Sequence, residues 1–157
     1  AYCNWLTQLG HAHGWLPPDQ EIRMPTSLEW ERAARHIDQR PYPWGDAQPT
    51  ANHANYEATG LGAPSPVGCF SAGRAVCEAE DLVGNVLEWL ATADEDRTNL
   101  ATFKPQKDFT PNDSVLLSFT YYNDELDQLC CGARYGSDPF YWFDFLGFRV
   151  LQSLRAH

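Results

Sequence analysis

The segment DLVGNVLEW at 81–89 brings together oxygen-bearing groups that a hard cation prefers. Asp81 and Glu88 supply carboxylates, and Gly84 permits a sharp turn that could direct backbone carbonyls inward. Calcium is bound by such mixtures of carboxylate and carbonyl oxygens from a short loop. The spacing matches no EF-hand, so an alternative stays open. In it, both carboxylates accept hydrogen bonds from nearby loop amides, and the apolar residues between them belong to the core.

A second candidate site is the aromatic segment YGSDPFYWFDFLGFRV at 135–150. Its rings neither alternate with polar residues nor form a β-branched run, so the segment does not read as a regular core strand. Because consecutive bulky residues cannot all point inward from an extended segment, four rings are predicted to be exposed. These are Tyr135, Phe140, Tyr141 and Phe143. Phe145 and Phe148, nearest the last strand, are predicted to lie in the core.

Composition excludes several classes of function. The chain has 157 residues and a formal net charge of -10, which leaves no excess of Lys or Arg for nucleic acid or for an anionic membrane surface. No apolar run is long enough to insert into a bilayer, and no signal peptide opens the sequence. The five cysteines include no CxxC pair, which favours reduced thiols in a cytoplasmic protein over a zinc site or a disulfide framework.

Two helices are predicted near the amino terminus. Tyr2, Trp5, Leu6 and Leu9 lie on one helical face, with Gly10 as the predicted stop, and the missing cap suggests that the domain starts upstream. In the segment RMPTSLEWERAARHI, Thr26 and Glu29 form a capping box, which predicts a helix whose apolar stripe runs from Trp30 to Ile37.

Short elements and loops are predicted for the remaining sequence. Residues 41–73 are rich in Pro, Gly and Asn but contain recurring aromatics, which indicates an ordered loop region. A polar stretch is expected up to about Asn112, and strands are predicted at 114–122 and in LGFRVLQSL. These features predict a single irregular α+β domain over residues 1–157.

Eight segments in a fixed order resemble the formylglycine-generating-enzyme domain, a variant of the C-type lectin fold. They are AYCNWL, RMPTSLEWERAAR, YPWGD, ANY, PVGCF, DLVGNVLEW, GAR and LGFRV. The resemblance implies a C-type lectin-like fold with two helices, short strands and much ordered loop. It also implies one calcium site, made by Asp81, Glu88 and the carbonyls of Gly84 and Val86.

This sequence differs from the family's oxidases at the residues of their copper site. Those enzymes bind copper(I) through two cysteines, the soft ligands that this ion requires. The corresponding positions here are Tyr121 and Leu126. Cys131 is expected to be structural, and its neighbour Cys130 points away from it along a strand, so the two do not replace the missing pair.

Sulfoxide synthases of the ergothioneine type form a second enzymatic branch, and they bind iron through a His-rich helical domain that precedes this one. The histidines of this chain lack the required spacing; those concerned are His11, His13, His36 and His53. On these grounds the sequence predicts that the chain is not an enzyme and requires no cofactor, with calcium as an optional ion.

The third branch comprises the variable proteins of diversity-generating retroelements, which display diversified side chains before a GFRV-like end. This resemblance predicts a non-catalytic ligand-binding domain whose aromatic-rich surface, from about Tyr121 to Phe145, contacts a protein. Tyr and Phe give contact area at low entropic cost, and Asn, Asp and Ser give adaptable hydrogen bonds. The predicted contact residues are Tyr122, Asn123, Asp124, Tyr135, Ser137, Phe140, Tyr141, Phe143 and Asp144. The alternatives are a formylglycine-generating-type oxidoreductase and a fixed sensor or scaffold domain of a signalling protein.

Overall fold

The computed structural model describes residues 1–93, 115–118, 120–132 and 134–155. Two α-helices occur in these ranges, α1 (Tyr2–His13) and α2 (Ser27–Arg35). The strands are β1 (Gln20–Arg23), β2 (Leu87–Ala93), β3 (Val115–Ser118), β4 (Arg134–Ser137), β5 (Leu146–Phe148) and β6 (Leu151–Leu154). This content confirms the predicted α+β class. The polar stretch expected before Asn112 lies outside the described residues.

The strands form two small sheets. β1 and β6 pair antiparallel, which ties the carboxyl-terminal segment to the first strand. The other sheet has the order β4-β3-β2-β5, in which only the β2–β5 pair is parallel. In that parallel pair Glu88 lies opposite Gly147, so the end of the segment 81–89 runs beside residues 146–148.

The first helix differs from its prediction in length and in orientation. It ends at His13, and Gly14 caps it in the left-handed conformation, with φ 72. The predicted stop, Gly10, is buried inside the helix, where an added Cβ would lie 2.7 Å from Leu16 Cβ. The buried face therefore consists of small and polar residues. Thr7, for example, accepts a hydrogen bond from the Ile22 amide at 2.8 Å.

The second helix confirms its prediction. Thr26 Oγ1 accepts a hydrogen bond from the Glu29 amide, and the Glu29 carboxylate accepts one from the Thr26 amide. Trp30 and Ala34 face the core, as the stripe predicts, but Ile37 lies beyond the end of the helix and is exposed. The capping box works because all of its atoms lie within four consecutive residues.

The loop region 41–73 is ordered around aromatic rings. The Tyr42 and Trp44 rings stack with centroids 5.2 Å apart, and Trp44 stacks on His53 at 4.7 Å. Tyr56 is buried in the main core. Among the described residues, neither helix has the length and apolar character needed to cross a membrane.

Candidate functional site

A pocket of about 170 Å³ lies between Leu87, Tyr121, Asp124 and Tyr135. Leu87 begins β2 and Tyr135 lies on β4, while Tyr121 and Asp124 belong to the connection that follows β3. The strand order β4-β3-β2 brings these segments together. Tyr121 is also the residue at the position where the resemblance expects the first copper-binding cysteine. The pocket is therefore lined by the residue that replaces the expected copper-binding cysteine.

Asp124 places a carboxylate in this pocket. Its side chain is buried, and its Oδ2 accepts a hydrogen bond from the Tyr121 amide at 2.9 Å. Within the described ranges of the chain, no second donor contacts the carboxylate. Burial raises the pKa of Asp124, and the hydrogen bond from the Tyr121 backbone only partly opposes this effect. A carboxylate that faces an apolar pocket favours a cationic ligand, because the ligand restores the interactions lost on burial.

A continuous series of rings leads from the pocket to the surface. The Tyr121 ring lies 5.5 Å from that of Tyr122 and 4.9 Å from that of Phe145. Phe145 stacks on Phe143 at 4.9 Å, and Phe143 meets Tyr141 edge-on at 6.1 Å. The rings of this series give the approach to the pocket an aromatic wall.

The structure confirms the predicted exposure of four rings. Tyr135, Phe140, Tyr141 and Phe143 have exposed fractions of 54%, 61%, 58% and 48%. The prediction that Phe148 belongs to the core is wrong, since it is 48% exposed. The reason is that β5 is the edge strand of its sheet, so Phe148 packs against the exposed Tyr2 ring, at 5.5 Å, rather than against a second layer.

The predicted contact residues do not form one open surface. Ser137 is buried in β4, opposite Val115 of β3, and Asp124 is buried and lines the pocket. Asn123 and Asp144 are exposed, and Tyr122 is half-buried. The sequence identified Asp124 and Tyr135 but missed Leu87, which no local pattern connects with them. Ligand binding by the whole set stays a prediction.

Glu88 has a different partner from the predicted calcium ion. Its Oε2 accepts hydrogen bonds from Arg149 Nε at 2.6 Å and from Trp30 Nε1 at 2.7 Å, and its Oε1 accepts one from Arg149 Nη2 at 2.6 Å. Arg149 also donates to the carbonyl oxygens of Glu80 and Asp81. The guanidinium therefore supplies the positive charge that the resemblance assigns to calcium.

The second predicted carboxylate ligand, Asp81, also has a partner within the chain, and Gly84 lies in a confined position. The Asp81 carboxylate accepts a hydrogen bond from the Gly68 amide at 2.7 Å. Gly84 has φ +74 and lies so close to Asn55 that an added Cβ would be 2.1 Å from its carbonyl oxygen. Both carboxylates of the predicted set Asp81, Gly84, Val86 and Glu88 therefore have other partners in this arrangement, and calcium binding by the set stays a prediction.

Trp30 connects this ion pair to a second buried cation. The Arg134 guanidinium lies over the Trp30 ring, 4.6 Å from its centroid, and its Nε donates to Ser27 Oγ at 3.1 Å. Burial lowers the pKa of Arg134. Both LEW motifs, at 28–30 and 87–89, thus meet GAR at 132–134 and GFR at 147–149 in one network. This network joins α2 to β2, β4 and the end of β5.

A redox metal would need soft or basic ligands close together in the described residues. No group of three or more His, Cys, Asp or Glu side chains is close enough there to hold an ion. Cys131 is buried, and burial raises the pKa of its thiol to about 12, which disfavours the free thiolate near neutral pH. Its predicted structural position agrees with this burial.

The chain is similar to an enzyme. It is 34% identical over 126 residues to the hercynine oxygenase of Mycolicibacterium thermoresistibile, and the match covers 67% of this chain and 26% of that protein. The matched region thus represents about a quarter of the relative's length. This finding contradicts the prediction that the chain is not an enzyme. That prediction rested on the absent cysteine pair and on the spacing of the histidines, and neither observation excludes part of an enzyme whose metal ligands lie outside the matched region.

Solved structures share the fold. PvdO from Pseudomonas aeruginosa superposes with a TM-score of 0.72 and 26% identity, over 97% of this chain and 58% of that one. Treponema denticola variable protein 1 superposes with a TM-score of 0.65 and 21% identity, over 87% of this chain and 49% of that one. The second likeness shows the fold alone and does not extend to diversification of the surface.

The family of this chain is shown by a match to one family pattern over almost its whole length. The pattern of the sulfatase-modifying factor enzyme 1-like domain matches residues 1–154. This range includes both helices, all six described strands and the pocket around Asp124. The chain therefore belongs to the family of the sulfatase-modifying factor enzyme 1-like domain.

Proposed function

We propose that this chain is the substrate-binding part of an oxidoreductase related to the hercynine oxygenases. The observation that carries the proposal is the buried Asp124 carboxylate, which lies beside Tyr121 and Tyr135 in a small apolar pocket. The identity of 34% to a hercynine oxygenase supports the reaction class. The pocket supports the kind of group that is bound.

The pocket suits an alkylated ammonium group. Hercynine is a betaine with a trimethylammonium group, which cannot donate a strong hydrogen bond but is attracted to aromatic faces and to carboxylates. Asp124 supplies the charge, Tyr121 and Tyr135 supply rings, and Leu87 supplies an apolar wall. Pockets for drug-sized ligands measure roughly 300–1,000 Å³. A pocket of about 170 Å³ instead fits one end of a small substrate.

The role proposed for the described residues is to bind and orient the substrate. They hold no cluster of side chains suited to a metal ion. The redox centre of such an enzyme would therefore come from residues outside the described ranges or from another chain. No step of the oxidation is assigned to the pocket.

Calorimetric titration with hercynine tests the proposal. The Asp124→Asn variant keeps the side-chain volume and an acceptor for the Tyr121 amide but removes the charge. Because two opposite unit charges about 4 Å apart attract by roughly 4 kcal/mol at an effective dielectric constant of about 20, we expect at least about tenfold weaker binding. Asp46→Asn, which removes an exposed carboxylate elsewhere, is the matched control and should bind like the parent chain. Equal affinity in all three proteins, or no binding by the parent, would refute the proposal.

The stability of the same variant separates binding from a structural role. A raised carboxyl pKa means that the Asp124 contribution to stability is present below its unfolded pKa and is lost as the pH rises through the folded value. At neutral pH the charged carboxylate therefore destabilises the fold. Asp124→Asn should melt at the same temperature as the parent or at a higher one, and a clear decrease would instead indicate a structural carboxylate.

A further inference from the structure

Beyond the pocket, the segment after β4 exposes an unusual concentration of large aromatic side chains. Trp142 is 86% exposed, and its neighbours on both sides are also largely accessible to solvent. We define the aromatic surface as Tyr135, Phe140, Tyr141, Trp142 and Phe143. Contiguous exposed apolar patches of this kind are uncommon on monomeric proteins and typically mark sites of interaction.

The charges around the aromatic surface are of one sign. Residues 121–145 contain five acidic residues and a single basic one, Arg134. The Arg134 side chain is only 9% exposed and lies over Trp30, so it does not offset the acidic groups at the surface. Two of those acidic residues lie within the aromatic segment itself: Asp144, which follows Phe143, is exposed, and Asp138 accepts a hydrogen bond from the Phe140 amide at 2.8 Å. The aromatic surface therefore has an acidic rim.

We propose that the aromatic surface binds an arginine-rich segment of a partner protein. A guanidinium group stacks on aromatic faces and pairs with carboxylates in a bidentate geometry, so it satisfies both features of this surface at once. A purely apolar partner would cover the acidic rim without pairing it. A second copy of this chain is disfavoured because each copy has a net charge of -10. This interaction goes beyond the proposed substrate binding, since it uses residues outside the pocket, apart from Tyr135 at the boundary.

Fluorescence anisotropy with labelled oligoarginine, and with oligolysine of the same length and charge, tests the proposal. The parent chain should bind oligoarginine at least about fivefold more tightly, because lysine lacks the planar group that stacks on rings. The double variant Phe140→Ala/Trp142→Ala, at two exposed rings outside the series that leads to the pocket, should lose this preference and bind oligoarginine about tenfold more weakly. Trp5→Ala removes a ring that is 53% exposed on α1, and it should bind like the parent.

A charge reversal completes the test. Asp144→Lys should weaken oligoarginine binding more than Asp46→Lys, which makes the same change in net charge away from the aromatic surface. Equal binding of both peptides, or equal effects of the matched variants, would show non-specific attraction to an acidic protein and overturn the proposal. The double variant should still bind hercynine like the parent, so that failure of one proposal leaves the other testable.

Discussion

Replacing Glu88 with Gln tests whether an arginine, rather than a metal ion, completes the segment 81–89. The substitution keeps the side-chain volume and an acceptor for Trp30 Nε1 but removes the charge that pairs with Arg149. Glu88 is 6% exposed and the Arg149 side chain 24% exposed, so the pair is largely shielded from water. Breaking a buried pair from one side costs about 3–5 kcal/mol.

The lower end of this range applies here, because Arg149 keeps its hydrogen bonds to the carbonyls of Glu80 and Asp81. A loss of about 3 kcal/mol corresponds to a decrease of roughly 6–12 °C in Tm for a chain of this size. The assay is urea unfolding combined with a thermal melt. Glu57→Gln, at an exposed position, is the control and should change the free energy of unfolding by less than about 0.5 kcal/mol.

A double-mutant cycle with Arg149→Met isolates the interaction of the pair. The double variant should lose less stability than the sum of the single variants, because it leaves no unpaired charge. Adding calcium or a chelator should not change the Tm of the parent chain. The reasoning would be refuted by a Glu88→Gln variant as stable as the parent, or by a calcium-dependent gain in stability that this variant loses.

Three further predictions concern other parts of the fold. The Arg23 hydrogen bond lowers the pKa of Glu29 to about 2, so stability should be lost as the pH falls from 4.5 towards this value, and an acid titration should show a shallower loss for Glu29→Gln. Gly84→Ala should unfold the chain or abolish its expression, because the added Cβ would meet the Asn55 carbonyl at a positive φ; circular dichroism and soluble yield measure this. Cys131 should resist alkylation in the native protein and react after unfolding, which mass spectrometry can follow.

Local patterns in the sequence predicted local structure well. The capping box of α2 depends on Thr26 and Glu29 alone, and both hydrogen bonds are present. The exposure of Phe140, Tyr141 and Phe143 followed from the impossibility of burying consecutive bulky side chains. By contrast, the end of α1 was misplaced because tertiary packing, rather than helix propensity, determines the environment of Gly10.

The site depends on pairings between distant segments, which no single sequence displays. Glu88 and Arg149 are 61 residues apart, and only the parallel pairing of β2 with β5 brings them together. Leu87 and Tyr135 likewise reach one pocket through the order of the strands. The sequence showed that Tyr121 replaces a copper-binding cysteine. This replacement indicated that the copper site is missing, but it did not indicate that Tyr121 lines a pocket.

A crystal structure of this chain with hercynine tests the central claim most directly. The account predicts density for the trimethylammonium group in the pocket, beside the Asp124 carboxylate and within about 6 Å of the centroids of the Tyr121 and Tyr135 rings. Hercynine bound elsewhere, or an empty pocket at concentrations that saturate binding in solution, would contradict the account.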